Sequence, residues 1–193
     1  VIQRSGRIMK HDDQALTTEL RRILEDEGVT FLLEAATRSV RAEGGKRVVE
    51  VEQDGRAFTV EGDALLVALG RTVDVESLRL DNAGVAFDKK GVTVDQRMRT
   101  SQKHIYACGD VTGKFQFTHA AGYEGSIVVS NAVFHLPRKA DYTSFPWCTY
   151  ASPELANIGM TEETAQGQGI ETSVWTEELA ANDRAQAEGA VRG

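Results

Sequence analysis

Thr100-Ser101-Gln102-Lys103-His104-Ile105-Tyr106-Ala107-Cys108-Gly109-Asp110 is the most informative stretch of the 193-residue chain. His104 to Cys108 reads as a short strand that stops abruptly at Gly-Asp. At the carboxyl edge of a parallel sheet, such an ending points a carboxylate into the crevice where open α/β folds bind ligands. Gly109 permits close backbone approach, and Asp110 is suited to accept hydrogen bonds from sugar-like hydroxyls. A few residues on, a helix is expected from Thr118 to about Phe134. Its start offers N–H groups and a partial positive charge to an electron-rich atom. Taken as residues alone, a plain turn followed by a helix start is an equal alternative.

The surrounding sequence supplies the α/β setting. Asp12 and Asp13 are N-cap candidates for a helix running to about Glu27, with Leu16, Leu20, Ile23 and Leu24 as its apolar stripe and Gly28 as its stop. Val1-Ile2 before it and Val29 to Leu33 after it complete a strand-helix-strand unit, which implies parallel pairing. Arg47 to Glu52 and Arg56 to Gly62, joined through Asp54-Gly55, predict a hairpin. Ala64 to Leu69 is a continuous apolar run that suits a strand buried on both faces. Gly91 to Asp95 is a further short strand, and Trp147 to Tyr150 another. Thr161 is expected to cap a short helix, with Glu162 and Glu163 in its first turn. Ala120, Ala121, Gly122 and Gly125 keep one helix thin enough for close packing.

Composition sets outer limits. Apolar residues at 41% and charged residues at 26% are ordinary globular values. A formal charge of −7 argues against a nucleic-acid or anionic-membrane surface. No apolar run approaches the ~20 residues that span a bilayer, so a soluble, cytoplasmic protein is expected. Cys108 and Cys148 lack CxxC spacing, and neither they nor the four histidines suggest a metal site. The opening Val1-Ile2 and closing Val191-Arg192-Gly193 read as interrupted strands, so an internal piece of a longer protein is expected.

The Thr100–Asp110 segment resembles the second flavin fingerprint of the pyridine nucleotide-disulfide oxidoreductases, a family that includes dihydrolipoamide dehydrogenase, glutathione reductase and mercuric reductase. The resemblance implies that Asp110, with Gly109, meets the ribityl chain of FAD, and that Gln116, Phe117, Thr118 and His119 lie against the flavin's pyrimidine edge. Leu66 to Arg71 is similar to the family's return from the NAD(P) domain to the FAD domain, which puts Gly70 near the nicotinamide nucleotide. The family's usual proline after that turn is Val73 here. Phe145 to Tyr150, Pro153-Glu154 and Gly159 to Glu162 resemble the opening of the dimer-interface domain. Asn182 to Gly189 is similar to the mercuric-reductase-like branch. The implied architecture is α/β, with partial Rossmann-like FAD- and NAD(P)-binding domains followed by the start of an α+β dimerisation domain. Residues 1–71 are expected to be the later part of the NAD(P)-binding domain, 72–141 the returning part of the FAD domain and 142–193 a truncated interface domain.

In such a fold an acid at the end of the second strand bonds the ribose of NAD, whereas a nearby Arg suits the 2′-phosphate of NADP. Gln3 stands where NAD-using relatives carry Glu; Arg4-Ser5 resembles the NADPH-using mercuric reductases, and Lys10 falls at a second cationic position. NADP is therefore expected, with NAD possible; solvated surface cations are the plain alternative. Thr37 is a further nucleotide candidate. The chain has no paired redox cysteines and no G-x-G-x-x-G turn, so no residue is assigned a catalytic role. The intact protein is expected to be a homodimer passing hydride from NAD(P)H to flavin and on to a disulfide or metal-ion acceptor. Its rivals are a catalytically silent nucleotide-binding or oligomerisation fragment, and a non-disulfide flavoenzyme such as a transhydrogenase or NADH oxidase.

Overall fold

The computed structural model describes residues 1–193, which form two compact units. One contains Val1–Val67 together with Pro146–Gly193; the other is Ala68–Phe145.

In the first unit, Asp13 caps helix α1 (Gln14–Asp26), its Oδ1 accepting from the N–H groups of Ala15 and Leu16 at 2.9 and 3.2 Å. Leu20 and Ile23 of the expected stripe are buried, but Leu16 is half exposed. The flanking segments do pair in parallel, through a single bridge between Ile2 and Leu32. Two backbone hydrogen bonds of 2.8 Å, from Gln3 to Leu32 and from Leu32 to Val1, hold it. Expected as a full strand, Val29–Leu33 thus forms only this bridge.

Strands β1 (Ala36–Glu43), β2 (Lys46–Gln53) and β3 (Arg56–Gly62) make an antiparallel meander. The β2–β3 hairpin is the one its sequence predicts: Asp54 and Gly55 both take positive φ, 52° and 73°, as a two-residue turn between twisted strands requires. Strand β1 was not foreseen, although Gly44-Gly45 makes the same kind of turn between Glu43 and Lys46. Ala35, Val49 and Val51 form the core, with Ile2, Leu32 and Val60 packed against them.

Later in the same unit, β6 (Pro146–Thr149) and β7 (Leu155–Ile158) pair antiparallel, and Thr161 caps the short helix α3 (Glu162–Gly167) as expected. Helix α4 (Asp183–Glu188) follows. Asp12 is not a cap. It is buried, and its carboxylate accepts from Trp147 Nε1 at 2.7 Å and Asn157 Nδ2 at 2.9 Å.

Three further expectations are corrected. Ala64–Leu69, which crosses from one unit into the other, is neither a strand nor buried: Leu66 and Leu69 are 88% and 93% exposed. A strand buried on both faces needs neighbours on each side, and no segment of this chain supplies them. His104–Cys108 likewise is no parallel strand. It makes one antiparallel bridge, Tyr106 to Arg99. The strand expected over Gly91–Asp95 shortens to β5 (Gly91–Val92), paired with β4 (Phe87–Asp88). Helix α2 (Thr118–Ala132) forms as expected and ends two residues early. Two small cores fill the second unit, one around Val75, Val85 and Val92, the other around Met98, Ile127 and Ala140. No helix is long and apolar enough to cross a membrane.

Candidate functional site

The Gly109–Asp110 turn is built from several directions. The chain reaches it through the Arg99–Tyr106 bridge and a hydrogen bond from Ala107 N–H to the Met98 carbonyl at 3.1 Å. Gly109 then takes φ 74°, and Gly109–Thr112 winds into a single 3-10 turn. Thr112 Oγ1 donates to the Gly109 carbonyl at 2.9 Å, and Gly113, at φ 66°, closes the turn by donating to the Asp110 carbonyl at 2.9 Å. The β4–β5 hairpin presses on this loop from behind: a Cβ on Gly113 would overlap the Lys90 carbonyl, and one on Gly91 the Val111 carbonyl. Glycine is needed at position 113 both for its backbone and for its lack of a side chain.

Glu124, from the second turn of α2, is 1% exposed. Its Oε2 accepts the Gly109 N–H at 2.6 Å, and its Oε1 accepts the Tyr142 hydroxyl at 2.6 Å. Burial, then the hydrogen bond to Glu124, pushes the Tyr142 phenol well above its ordinary value, so it remains a donor. Burial, then the same carboxylate's charge, also raises the Cys108 thiol. Cys108 is thus a thiol at neutral pH, and Cys148 is raised as well, first by burial and then by Glu154. Both cysteines are unpaired. No group of three His, Cys, Asp or Glu side chains is placed to hold a metal ion.

Asp110 itself is exposed, and its carboxylate enters no ion pair. It lines an open cleft of about 430 Å³ with Arg71, Thr72, Val73, Asp74, Val111 and Gln116. One wall is pinned by Arg71 Nη1, which donates to the Gln116 carbonyl at 3.1 Å. Asp74 is engaged locally, accepting the Ser77 N–H at 3.1 Å, which holds its carboxyl below the usual range. Helix α2 starts beside Gln116. Its N-cap residue, Phe117, has extended backbone and no side-chain acceptor to give the first turn. The ring of His119 stacks on Phe117 and Phe145, with centroids 5.4 and 4.9 Å apart. Asp110 and Gln116 therefore share one cleft; Gly109, which precedes Asp110, is buried and does not line it, and Phe117, Thr118 and His119 follow Gln116 on the backbone.

The second set of expected residues, apart from Gly70, lies in the other unit. Gln3 Nε2 donates to Ser5 Oγ at 2.6 Å, and Ser5 Oγ donates to the Arg7 carbonyl at 2.7 Å, which shapes the loop after the parallel bridge. Arg4 and Lys10 are exposed on that loop, and neither enters an ion pair. Arg7, between them, is committed elsewhere, to the Lys10 carbonyl and Glu163. Thr37 is exposed on β1 beside a register shift. Gly70, in the second unit, has φ 105° and is exposed.

Sequence reasoning missed Glu124, Asp74 and the Gly91–Gly113 contact. A lone acid in the small-residue run Ala120 to Gly125 was the available signal for the first. The other two depend on contacts between segments remote in sequence.

Comparison with known proteins bears on the whole chain. Residues 1–125 match the family model described as pyridine nucleotide-disulphide oxidoreductase, and residues 145–193 match the dimerisation domain of that family. A mercuric reductase of Staphylococcus aureus is 36% identical over 177 residues, covering 90% of this chain and 32% of that protein. A dihydrolipoyl dehydrogenase of Bacillus subtilis is 34% identical over 196 residues, covering 100% of this chain and 42% of that protein. The HOCl-induced flavoprotein disulfide reductase RclA from Escherichia coli superimposes with a TM-score of 0.86 at 31% identity, over 100% of this chain and 44% of its own. The chain thus spans 32% to 44% of the length of these relatives.

Proposed function

Because the chain belongs to the pyridine nucleotide-disulphide oxidoreductase family, we propose that it carries the ribityl-binding part of an FAD site and the phosphate-recognising part of an NADP(H) site. The observation that carries this reading is Asp110, an unpaired carboxylate lining an open cleft beside an uncapped helix start. Such a group fits a polyhydroxyl chain, whose hydroxyls donate to carboxylate oxygens in charge-assisted bonds. Gly109, buried against Ala121 at φ 74°, turns the protein backbone so that Asp110 lines the cleft, and the α2 start, from Gln116 to His119, offers its positive end to an electron-rich ring edge. FAD, when bound, supplies hydride and electron transfer, which the side chains here position and do not themselves perform.

Arg4 and Lys10, both exposed and without ion pairs, favour the 2′-phosphate of NADP over the ribose hydroxyl of NAD. Gln3, which would be an acid in an NAD-specific site, supports the same preference. Thr37, on β1 of the same unit, is a further candidate for that nucleotide, and Gly70 is a separate candidate carried by the other unit. For the whole protein, the names of the relatives favour a disulfide or a metal ion such as mercuric ion as electron acceptor; cytoplasmic action is part of the same reading. The match of residues 145–193 to the dimerisation domain supports a homodimer. Under this reading residues 1–71, 72–141 and 142–193 belong to the NAD(P), FAD and interface domains.

The test is purification of the protein and measurement of flavin content, followed by anaerobic reduction with NADPH or NADH. Bound FAD that NADPH bleaches faster supports the proposal; a protein that neither retains nor takes up FAD contradicts it.

A further inference from the structure

We propose that Glu124 is a positioning residue for the flavin: a buried carboxylate that fixes the Gly109 amide and thereby aims Asp110. The inference rests on the reading of Asp110 as the ribityl acceptor and adds the device that orients it.

Glu124 is an expensive residue to place where it is. A carboxylate taken out of water is costly unless it is paired or well hydrogen-bonded, yet no cation contacts this one. Its two oxygens each take one short bond, both 2.6 Å, from Gly109 N–H and Tyr142 O–H. No buried polar side-chain atom is left without a partner, so the site is satisfied by those two donors. An apolar residue would fill the same space between α2 and the turn without the desolvation cost. What it would not do is hold the Gly109 amide.

That amide matters because of its position. It is the first N–H of the 3-10 turn, which no backbone acceptor in the turn can satisfy. Accepting it from α2 fixes the Cys108–Gly109 peptide plane, one bond from the residue that carries the side chain of interest. Ala121, one helical turn earlier, closes the other side: a Cβ on Gly109 would lie 3.0 Å from its Cβ. Gly113 closes the far end of the turn. Asp110 has no side-chain partner of its own, so its direction is set by this backbone frame. Tyr142 in turn holds Glu124. Its ring packs on Phe115 at 4.7 Å and lies under Lys114 Nζ at 4.0 Å from the centroid, which limits its movement.

The experiment measures FAD affinity in the parent protein, Glu124→Gln, Glu124→Leu, Asp110→Ala and the Glu124→Gln/Asp110→Ala double variant, with an unfolding curve for each. Glu124→Leu is expected to weaken FAD binding about tenfold, as for loss of a charge-assisted hydrogen bond. Glu124→Gln, whose amide oxygen still accepts the Gly109 N–H, is expected to fall between the two. In the Asp110→Ala background, Glu124→Gln is expected to change affinity by less than about twofold, since coupled residues are not additive. FAD binding unchanged in both Glu124 variants overturns the proposal. So does an equal factor in both backgrounds, which marks a general structural role. Should Glu124→Leu fail to fold, Glu124→Gln and the double variant decide the matter. A parent that binds no FAD is a different outcome and overturns the flavin reading together with this one.

Discussion

The turn at Gly109–Asp110 and the loop from Gln3 to Lys10 are both built to present polar groups, and they are built in different ways. The turn is braced from three directions: by the Glu124 carboxylate, by the Thr112 and Gly113 hydrogen bonds, and by the β4–β5 hairpin pressed against its back. The loop's backbone is held too, by the Ala35 and Glu34 N–H groups on the Gln3 and Ser5 carbonyls and by Arg7 on Glu163, but its two cations, Arg4 and Lys10, extend into solvent without ion pairs. The difference follows from what each group does. A hydrogen-bond acceptor for a hydroxyl works only over a narrow range of distance and angle. A cation near a phosphate works through its field, which tolerates movement of a few ångströms. A tight frame is therefore needed directly behind the carboxylate, whereas the cations reach out from theirs on long side chains.

The contrast is open to direct attack. The largest expected effect comes from Gly113→Ala. It places a side chain at positive φ and against the Lys90 carbonyl, and should cost roughly 2–5 kcal/mol of stability from backbone strain and overpacking together. A urea midpoint within error of the parent would show that the turn is not braced as described. Arg4→Glu comes next. Losing a charged contact to the 2′-phosphate should move the NADPH-to-NADH preference about tenfold or more toward NADH, with no change in urea midpoint. Equal turnover ratios in variant and parent would remove Arg4 from the nucleotide site.

Tyr142→Phe gives a smaller, pH-dependent effect. The phenol is raised in the folded state, so on going alkaline the unfolded chain releases its proton first. The stability Tyr142 contributes is complete below the ordinary tyrosine value of about 10 and declines as pH rises beyond it. Urea unfolding above that pH should show a downward slope in the parent that is reduced in the variant. Parallel slopes would mean that the Glu124–Tyr142 bond does not bias the titration. Smallest of all is Thr37→Ala, on the exposed face of β1. A loss of nucleotide affinity of roughly two- to tenfold is expected if Thr37 gives one neutral hydrogen bond. Unchanged affinity would remove β1 from the site.

How much of this was legible in the sequence depended on the range of the interactions involved. A cap at Asp12 or Asp13, the Asp54-Gly55 hairpin and the Thr161 cap are decided within a few residues; the structure bears out the hairpin and the Thr161 cap and selects Asp13 of the pair. Leu16 was misplaced because a helical stripe gives a period but not the width of the surface that covers it. Ala64–Leu69 was read as a buried strand from its apolar content. That inference assumed flanking strands, and the run is instead exposed, since hydrophobicity states what a segment would bury against and not whether it is there. The Gly109–Asp110 turn was found through its local pattern. Glu124 was not, because what makes it notable is a bond across 15 residues to an amide. Asp74, in the cleft, and Gly91, behind the turn, were hidden for the same reason.

The central claim, that Asp110 is the group that grips the flavin's ribityl chain, is tested most directly by titrating FAD into the parent protein and Asp110→Ala under identical conditions. Because Asp110 is exposed and enters no ion pair, the two proteins should unfold alike. The variant should bind FAD at least about tenfold more weakly, the loss expected for charge-assisted hydrogen bonds. Equal affinity in two equally stable proteins would contradict the account.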